Sequence, residues 1–125
     1  MPKKLNKTKS SELLSEIIIR GIKERKGEKI ISLNLKNIDN AISDYFIVCH
    51  GNSNIQVNAI AESIEEEVQK AIGMKPWHKE GIQNAEWILL DYVDVVVHIF
   101  QEVTRNFYQL EKLWADAEIK IIEED

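Results

Sequence analysis

Near the start of the chain, Leu13, Leu14, Ile17, Ile18 and Ile22 recur at helical spacing, with Lys and Arg filling the opposite face. Ser10 or Ser11 is placed to cap this segment and Gly27 to stop it, which predicts a first amphipathic helix. Two strands follow. Residues 29–35 carry Ile30, Ile31, Leu33 and Leu35 in a short run, and Tyr45-Phe46-Ile47-Val48-Cys49 is apolar without a break, the pattern of a strand buried on both faces. Gly51-Asn52-Ser53-Asn54 ends it, and Ser53 with Gln56 three residues on has the reciprocal capping-box spacing that satisfies orphan N–H groups at a helix start. Val57, Ile60, Ala61, Ile64, Val68, Ala71 and Ile72 then step by three and four up to Gly73, with Glu62, Glu65, Glu66 and Glu67 on the outer face. This second amphipathic helix should lie on the sheet.

After Pro76 comes a short strand over Trp77 to Glu80 and a turn through Gly81 to Ala85. Residues 86–91 and 94–100 are the strongest strand signals in the chain, and only Tyr92-Val93 separates them, which predicts a hairpin. Thr104 is placed to cap a last short helix carrying Phe107, Leu110, Glu111, Leu113 and Trp114 and ending near Asp116. The order α-β-β-α-β-β-β-α describes one α+β domain over residues 11–117, a mixed α/β sheet of about five strands packed with helices. Its flanks, residues 1–10 with their lysines and 118–125 with their acids, read as solvated tails.

Charge and composition then narrow the function. A chain of 125 residues with 44% apolar content buries one core of ordinary size and excludes a multidomain enzyme. With 16 Lys+Arg against 21 Asp+Glu, the net charge of −5 is no footprint for a broad nucleic-acid surface, so any link to nucleic acid should be indirect. A single cysteine, Cys49, excludes an intrachain disulfide and a Cys-rich zinc motif, and fits a reducing, cytoplasmic compartment. No run is long enough to span a bilayer, and no secretory signal follows the basic start.

If the hairpin turns through Tyr92 and Val93, Asp91 faces Asp94, Leu89 faces Val96 and Trp87 faces His98. One face, with Ile88, Leu90, Val95, Val97 and Ile99, is wholly aliphatic and belongs under helices. The other presents Trp87, Leu89, Asp91, Asp94, Val96, His98 and Phe100, aromatic anchors beside two opposed carboxylates. Like charges directly opposite one another cost stability unless a cation bridges them, so this face asks for a basic partner. The plainer alternative is that the last helix covers it, leaving Trp87 and Phe100 as core and the aspartates as turn residues.

Enzyme readings fit less well. Gly51-Asn52-Ser53 between a strand and a helix resembles the Gly-Ser opening of nucleotidyltransferases, but Asp91-x-x-Asp94 straddles a turn instead of placing two acids at alternate strand positions, and no third carboxylate joins them. Cys49 and His50 point to opposite faces of one strand and cannot act together as nucleophile and base. His50, His78 and His98 lack zinc-site spacing, and no Walker or dinucleotide glycine pattern calls for a cofactor.

Several strings together, Asp44-Tyr45-Phe46-Ile47-Val48, Gly51-Asn52-Ser53-Asn54-Ile55-Gln56-Val57, Glu80-Gly81, the run from Trp87 to Phe100, and Phe107-Tyr108-x-Leu110-Glu111-x-Leu113-Trp114, resemble the ribosomal silencing factor family, RsfS, also called Iojap-like. The resemblance spans roughly residues 11–117. It implies a small nucleotidyltransferase-like fold without catalytic acids or metal, and a protein that binds the large ribosomal subunit through ribosomal protein L-fourteen. By blocking small-subunit joining such a protein represses translation sterically, and members of the family also form homodimers. Carried over, the binding positions are Trp87, Leu89 and Phe100 as apolar anchors, Asp91 and Asp94 as partners of Lys or Arg, and Tyr92 and His98 as hydrogen-bonding rim residues. Glu80, Tyr108 and Trp114 are their neighbours. The chain departs at Val93, where the family often has glycine. Two other functions remain on the residues alone: a metal-dependent nucleotidyltransferase-type enzyme, and a purely homodimeric structural module.

Overall fold

The computed structural model describes residues 7–123. Helix α1 spans Lys7–Glu24, followed by strands β1 (Glu28–Asn34) and β2 (Tyr45–Gly51), helix α2 (Asn54–Ile72) and strands β3 (His78–Glu80), β4 (Trp87–Asp91) and β5 (Val95–Gln101). Helix α3 (Glu102–Tyr108), the single turn α4 (Leu110–Leu113) and strand β6 (Glu118–Ile121) complete the chain. The strands form one mixed sheet in the order β3-β4-β5-β2-β1-β6, in which only β2 and β5 run parallel. No helix among the described residues is long and apolar enough to cross a membrane.

Two apolar layers sandwich this sheet. On one face Leu14, Ile17, Ile18 and Ile22 of α1 and Val57, Ile60, Ile64 and Val68 of α2 bury Ile30, Ile47, Cys49, Ile88, Leu90, Val95, Val97 and Ile99. On the other, Leu110 and Ala117 cover Leu33, Val48 and Phe100, with Phe46, Trp87 and Trp114 partly buried beside them. The continuous apolar run 45–49 is thus a central strand covered on both sides, as its pattern predicts. At the crossing of α1 and α2 the backbones approach so closely that a Cβ on Gly21 would fall 2.9 Å from the Ile64 Cα. The Ser63 hydroxyl donates to the Gly21 carbonyl across that contact, at 2.8 Å.

Beyond one-residue shifts at the strand ends, the structure departs from the sequence reading at both ends of the chain and in the last helix. Helix α1 starts at Lys7, with Ser11 fully buried inside it, because lysines are good helix formers and extend the helix beyond its packed face. The acidic segment expected to be a solvated tail joins the sheet instead. Residues 118–121 pair with β1, where the alternation Glu-Ile-Lys-Ile suits an exposed edge strand, so the sheet has six strands. Of the two expected tails, residues 1–6 and 124–125 lie outside the described residues. Thr104 lies within α3, whose cap position is Gln101, and the expected single helix breaks at Gln109 (φ 48°) into α3 and α4.

The capping box at α2 forms with a shift. The Gln56 N–H donates to Ser53 Oγ (3.1 Å), but Gln56 Oε1 reaches one residue further back, accepting from the Asn52 N–H at 2.8 Å. Its Nε2 donates to the carbonyls of Arg25 and Lys26, both at 3.1 Å, so one side chain ties the start of α2 to the end of α1. On the opposite face, buried Arg105 clamps α3 to the sheet. Its Nη1 donates to the Lys29 carbonyl (2.8 Å) and meets His50 Nδ1 (3.0 Å), while Nε and Nη2 both donate to Glu111 Oε2, at 3.0 and 2.8 Å.

Candidate partner-binding face

The hairpin forms, one step out of the expected register. Trp87 pairs with Phe100, Leu89 with His98 and Asp91 with Val96, so the turn residues are Val93 and Asp94. Tyr92 closes the loop by donating its N–H to the Val95 carbonyl (2.9 Å), and the Asp94 N–H donates to the Tyr92 carbonyl (2.9 Å) around Val93 at φ 76°. An i to i+2 bond with a positive central φ is the strained form of the γ-turn. Moving every cross-strand partner by two residues preserves parity, so the two faces separate as expected even though each pair changes.

That shift removes the opposed aspartates. Asp91 sits across from Val96, and its Oδ1 accepts from the Val93 N–H at 2.8 Å, holding the turn. The Asp94 carbonyl accepts from the N–H groups of Asp44 (2.8 Å) and Tyr45 (3.2 Å), tying the hairpin tip to the start of β2. The need for a bridging cation between two facing carboxylates therefore disappears. Among the described residues no group of three or more His, Cys, Asp or Glu is placed to hold a metal ion. The Gly-Ser opening is filled as well, by the Gln56 side chain that takes the Asn52 amide and lies 3.1 Å from where a Gly51 Cβ would stand.

The predicted binding residues divide into three groups. Tyr92 is on the wrong face for a rim residue: it is 5% exposed within the α1–α2 layer, its hydroxyl has no hydrogen-bond partner, and burial raises its pKa. The reason is parity, since even-numbered residues of β4 point toward those helices. His98 and Phe100 are on the expected face but buried under it. His98 Nδ1 accepts from the Trp87 indole N–H at 3.1 Å, and burial lowers the His98 pKa from 6.5 to about 4, so the ring is neutral. Phe100 packs its ring 4.7 Å from that of Trp87. The alternative in which the last helix covers this face, with Trp87 and Phe100 as core, holds for Phe100 and in part for Trp87, which is half-buried.

The third group stays accessible. The β3–β4 register sets Glu80 beside Leu89 and His78 beside Asp91, so these four side chains share the uncovered end of the face, with Leu89 and Asp91 half-exposed and Glu80 and His78 exposed. His78 Nε2 lies 2.7 Å from Glu80 Oε2. Trp87 is half-buried at the border, and its ring stands 5.0 Å from that of Tyr108, which is 51% exposed. Trp114 is half-buried 5.5 Å from Phe46, in the covering layer. Sequence reasoning missed His78, whose place follows from edge-strand register, and the apolar surface of Val103 and Phe107, both about 80% exposed and separated by four residues on α3. The Phe107 ring lies 5.0 Å from that of Tyr108, so the exposed aromatics run on continuously from Trp87.

Known proteins share this arrangement of chain and sheet. Residues 7–125 match the family model described as ribosomal silencing factor during starvation. A protein of Halalkalibacterium halodurans named ribosomal silencing factor RsfS is 41% identical over 86% of this chain and 91% of its own length. Its namesake from Bacillus subtilis is 43% identical over 75% of this chain and 78% of its own. The crystal structure of a Chromobacterium violaceum protein superposes with a TM-score of 0.79 at 31% identity, covering 90% of this chain and 93% of that one. A family match across nearly every residue, together with relatives similar along most of their own length, means that the chain belongs to the ribosomal silencing factor family.

Proposed function

We propose that the chain represses translation by binding the large ribosomal subunit through ribosomal protein L-fourteen and standing in the way of the small subunit. The repression is steric, needs no cofactor or metal, and takes place in the cytoplasm. The observation that carries this reading is the uncovered strip of β3 and β4, where apolar Leu89 pairs with Glu80 and stands between Trp87 and Asp91 along β4, with the Tyr108 ring beside that of Trp87. An apolar and aromatic centre rimmed by acids fits a basic protein surface: the rings supply desolvated contact, and the acids steer the encounter and set its register. Asp94 adds charge at the hairpin tip. His98, Phe100 and Trp114 contribute from below, by holding Trp87 and the covering layer in place. In the same reading the free chain pairs with a second copy through this strip, so dimer and ribosome complex exclude each other.

The test is subunit joining followed by light scattering. The parent chain, preincubated with large subunits, is expected to suppress the rise in scattering when small subunits are added, and Leu89→Arg is expected to raise the concentration needed by about tenfold or more. Undiminished joining in the presence of the parent overturns the mechanism, and equal potency of Leu89→Arg overturns the surface.

A further inference from the structure

Where β3 turns back into β4, residues 81–86 stand opposite α3, and between them opens a cleft of about 160 Å³ lined by Gly81, Asn84, Glu86, Trp87, Thr104 and Tyr108. That is well below the roughly 300–1,000 Å³ of clefts that hold cofactors, so the cleft suits one side chain. Its only charged lining residue is Glu86, exposed and without an ion-pair partner among the described residues. Two aromatic rings, 5.0 Å apart and inclined at 49°, add electron-rich faces. The Trp87 indole N–H is already donated to His98, so Trp87 offers the cleft a ring and no donor.

The wall carrying Glu86 is preformed. The Ala85 N–H donates to the Gly81 carbonyl (2.9 Å), Gln101 Nε2 donates to the Ala85 carbonyl (3.1 Å), and the Gln101 N–H donates to the Glu86 carbonyl (2.9 Å). Gly81, at φ 82°, passes so near β4 that a Cβ there would fall 2.0 Å from the Trp87 carbonyl oxygen, so no larger residue fits without moving the loop. A recess fixed before its occupant arrives loses little entropy on filling.

We propose that this cleft receives an arginine side chain of a basic protein of the large ribosomal subunit, an assignment that rests on the ribosome-binding reading above. A guanidinium is planar and carries donors in a fork, so it stacks on an aromatic ring while its edge meets a carboxylate. Glu86 supplies that carboxylate, Trp87 and Tyr108 supply the rings, and the Thr104 hydroxyl and Asn84 amide oxygen take remaining donors. A lysine ammonium satisfies Glu86 but makes poorer use of the two rings. The chain's net charge of −5 favours a cation over an anion at this recess.

The experiment has two arms, both on the full chain. In the first, amide and indole spectra are followed by nuclear magnetic resonance during titration with N-acetyl-argininamide and with its neutral analogue N-acetyl-citrullinamide. Signals of Glu86, Trp87 and Tyr108 are expected to move with the arginine probe alone, and Glu86→Gln is expected to weaken the response by about fivefold. Equal responses to both probes, or none at these residues, overturn the proposal. In the second arm, Glu86→Lys is expected to lower co-sedimentation with purified large subunits by about tenfold, with Glu86→Asp close to the parent. If the parent pellets and Glu86→Lys pellets equally, the cleft assignment falls while the ribosome-binding reading stands. A parent that does not pellet overturns that reading, and the assigned occupant with it.

Discussion

Tyr92 and His98 show how one hairpin places polar atoms where water cannot reach them. Both were expected at an accessible rim, and both are buried, on opposite faces of the sheet. The Tyr92 hydroxyl lies in the α1–α2 layer without a partner, and a buried hydroxyl that makes no hydrogen bond costs stability. Tyr92→Phe is therefore expected to raise unfolding free energy by about 1 kcal/mol in urea titration, without changing ribosome binding. A loss of binding would restore Tyr92 to the contact surface. For His98 the sign follows from its lowered pKa. A histidine that titrates near 6.5 unfolded and at about 4 folded leaves stability intact above pH 6.5 and removes it as pH falls toward 4. From about pH 7 to about pH 5 that loss amounts to about 2 kcal/mol, and His98→Gln, which keeps an acceptor for Trp87, is expected to lack it. The buried His50, its pKa also lowered by burial first and then by Arg105, keeps a smaller dependence of the same sign in that variant. Identical pH slopes for parent and His98→Gln would contradict the assignment.

At the scale of elements, the sequence made the main helices, the central strand and the hairpin legible because each carries a long periodic run between clear stops. The turn was not legible in the same way. Val93 has no reason in its own chemistry to sit at φ 76°, and what holds it there lies elsewhere in the chain: the Asp91 carboxylate on its N–H, the Tyr92 and Val95 pairing, and the Ser43 hydroxyl donating to its carbonyl at 2.9 Å. A β-branched residue pays for such a conformation by about 1–2 kcal/mol. Because Val93 is exposed and its N–H bond survives in glycine, Val93→Gly is expected to stabilise the chain by about 1 kcal/mol in thermal or urea unfolding. A destabilised variant would mean that the Val93 side chain contributes packing of its own. Strand β6 was hidden for a different reason. Residues 118–121 are too short a run to signal a strand, and they form one because the β1 edge offers unpaired backbone groups. The candidate face was half legible: alternation assigned its residues, but which of them α3 and α4 cover depends on the break at Gln109 and on the Arg105 clamp. Nothing in the sequence around Arg105 marks it as the residue that makes this clamp.

For the molecule as a whole, an excess of acid in a ribosome ligand is consistent once its placement is considered. Some of it is solvation on the outer face of α2, where Glu62 and Glu66 are exposed. The part that the proposed binding surface uses lies at one end of the sheet, with Glu80 and Asp91 near Leu89 and Glu86 beside Trp87 and Tyr108. Such a surface is repelled by RNA phosphate and drawn to exposed basic protein, so a mostly RNA-covered particle offers it few places to dock. The direct test is co-sedimentation of the parent chain with purified large and small subunits, side by side, together with Glu80→Lys. The parent is expected to pellet with large subunits alone, and Glu80→Lys to pellet about fivefold less at low salt, with the gap narrowing as salt is raised. A parent chain that stays in the supernatant, or that pellets equally with both subunits, would contradict it.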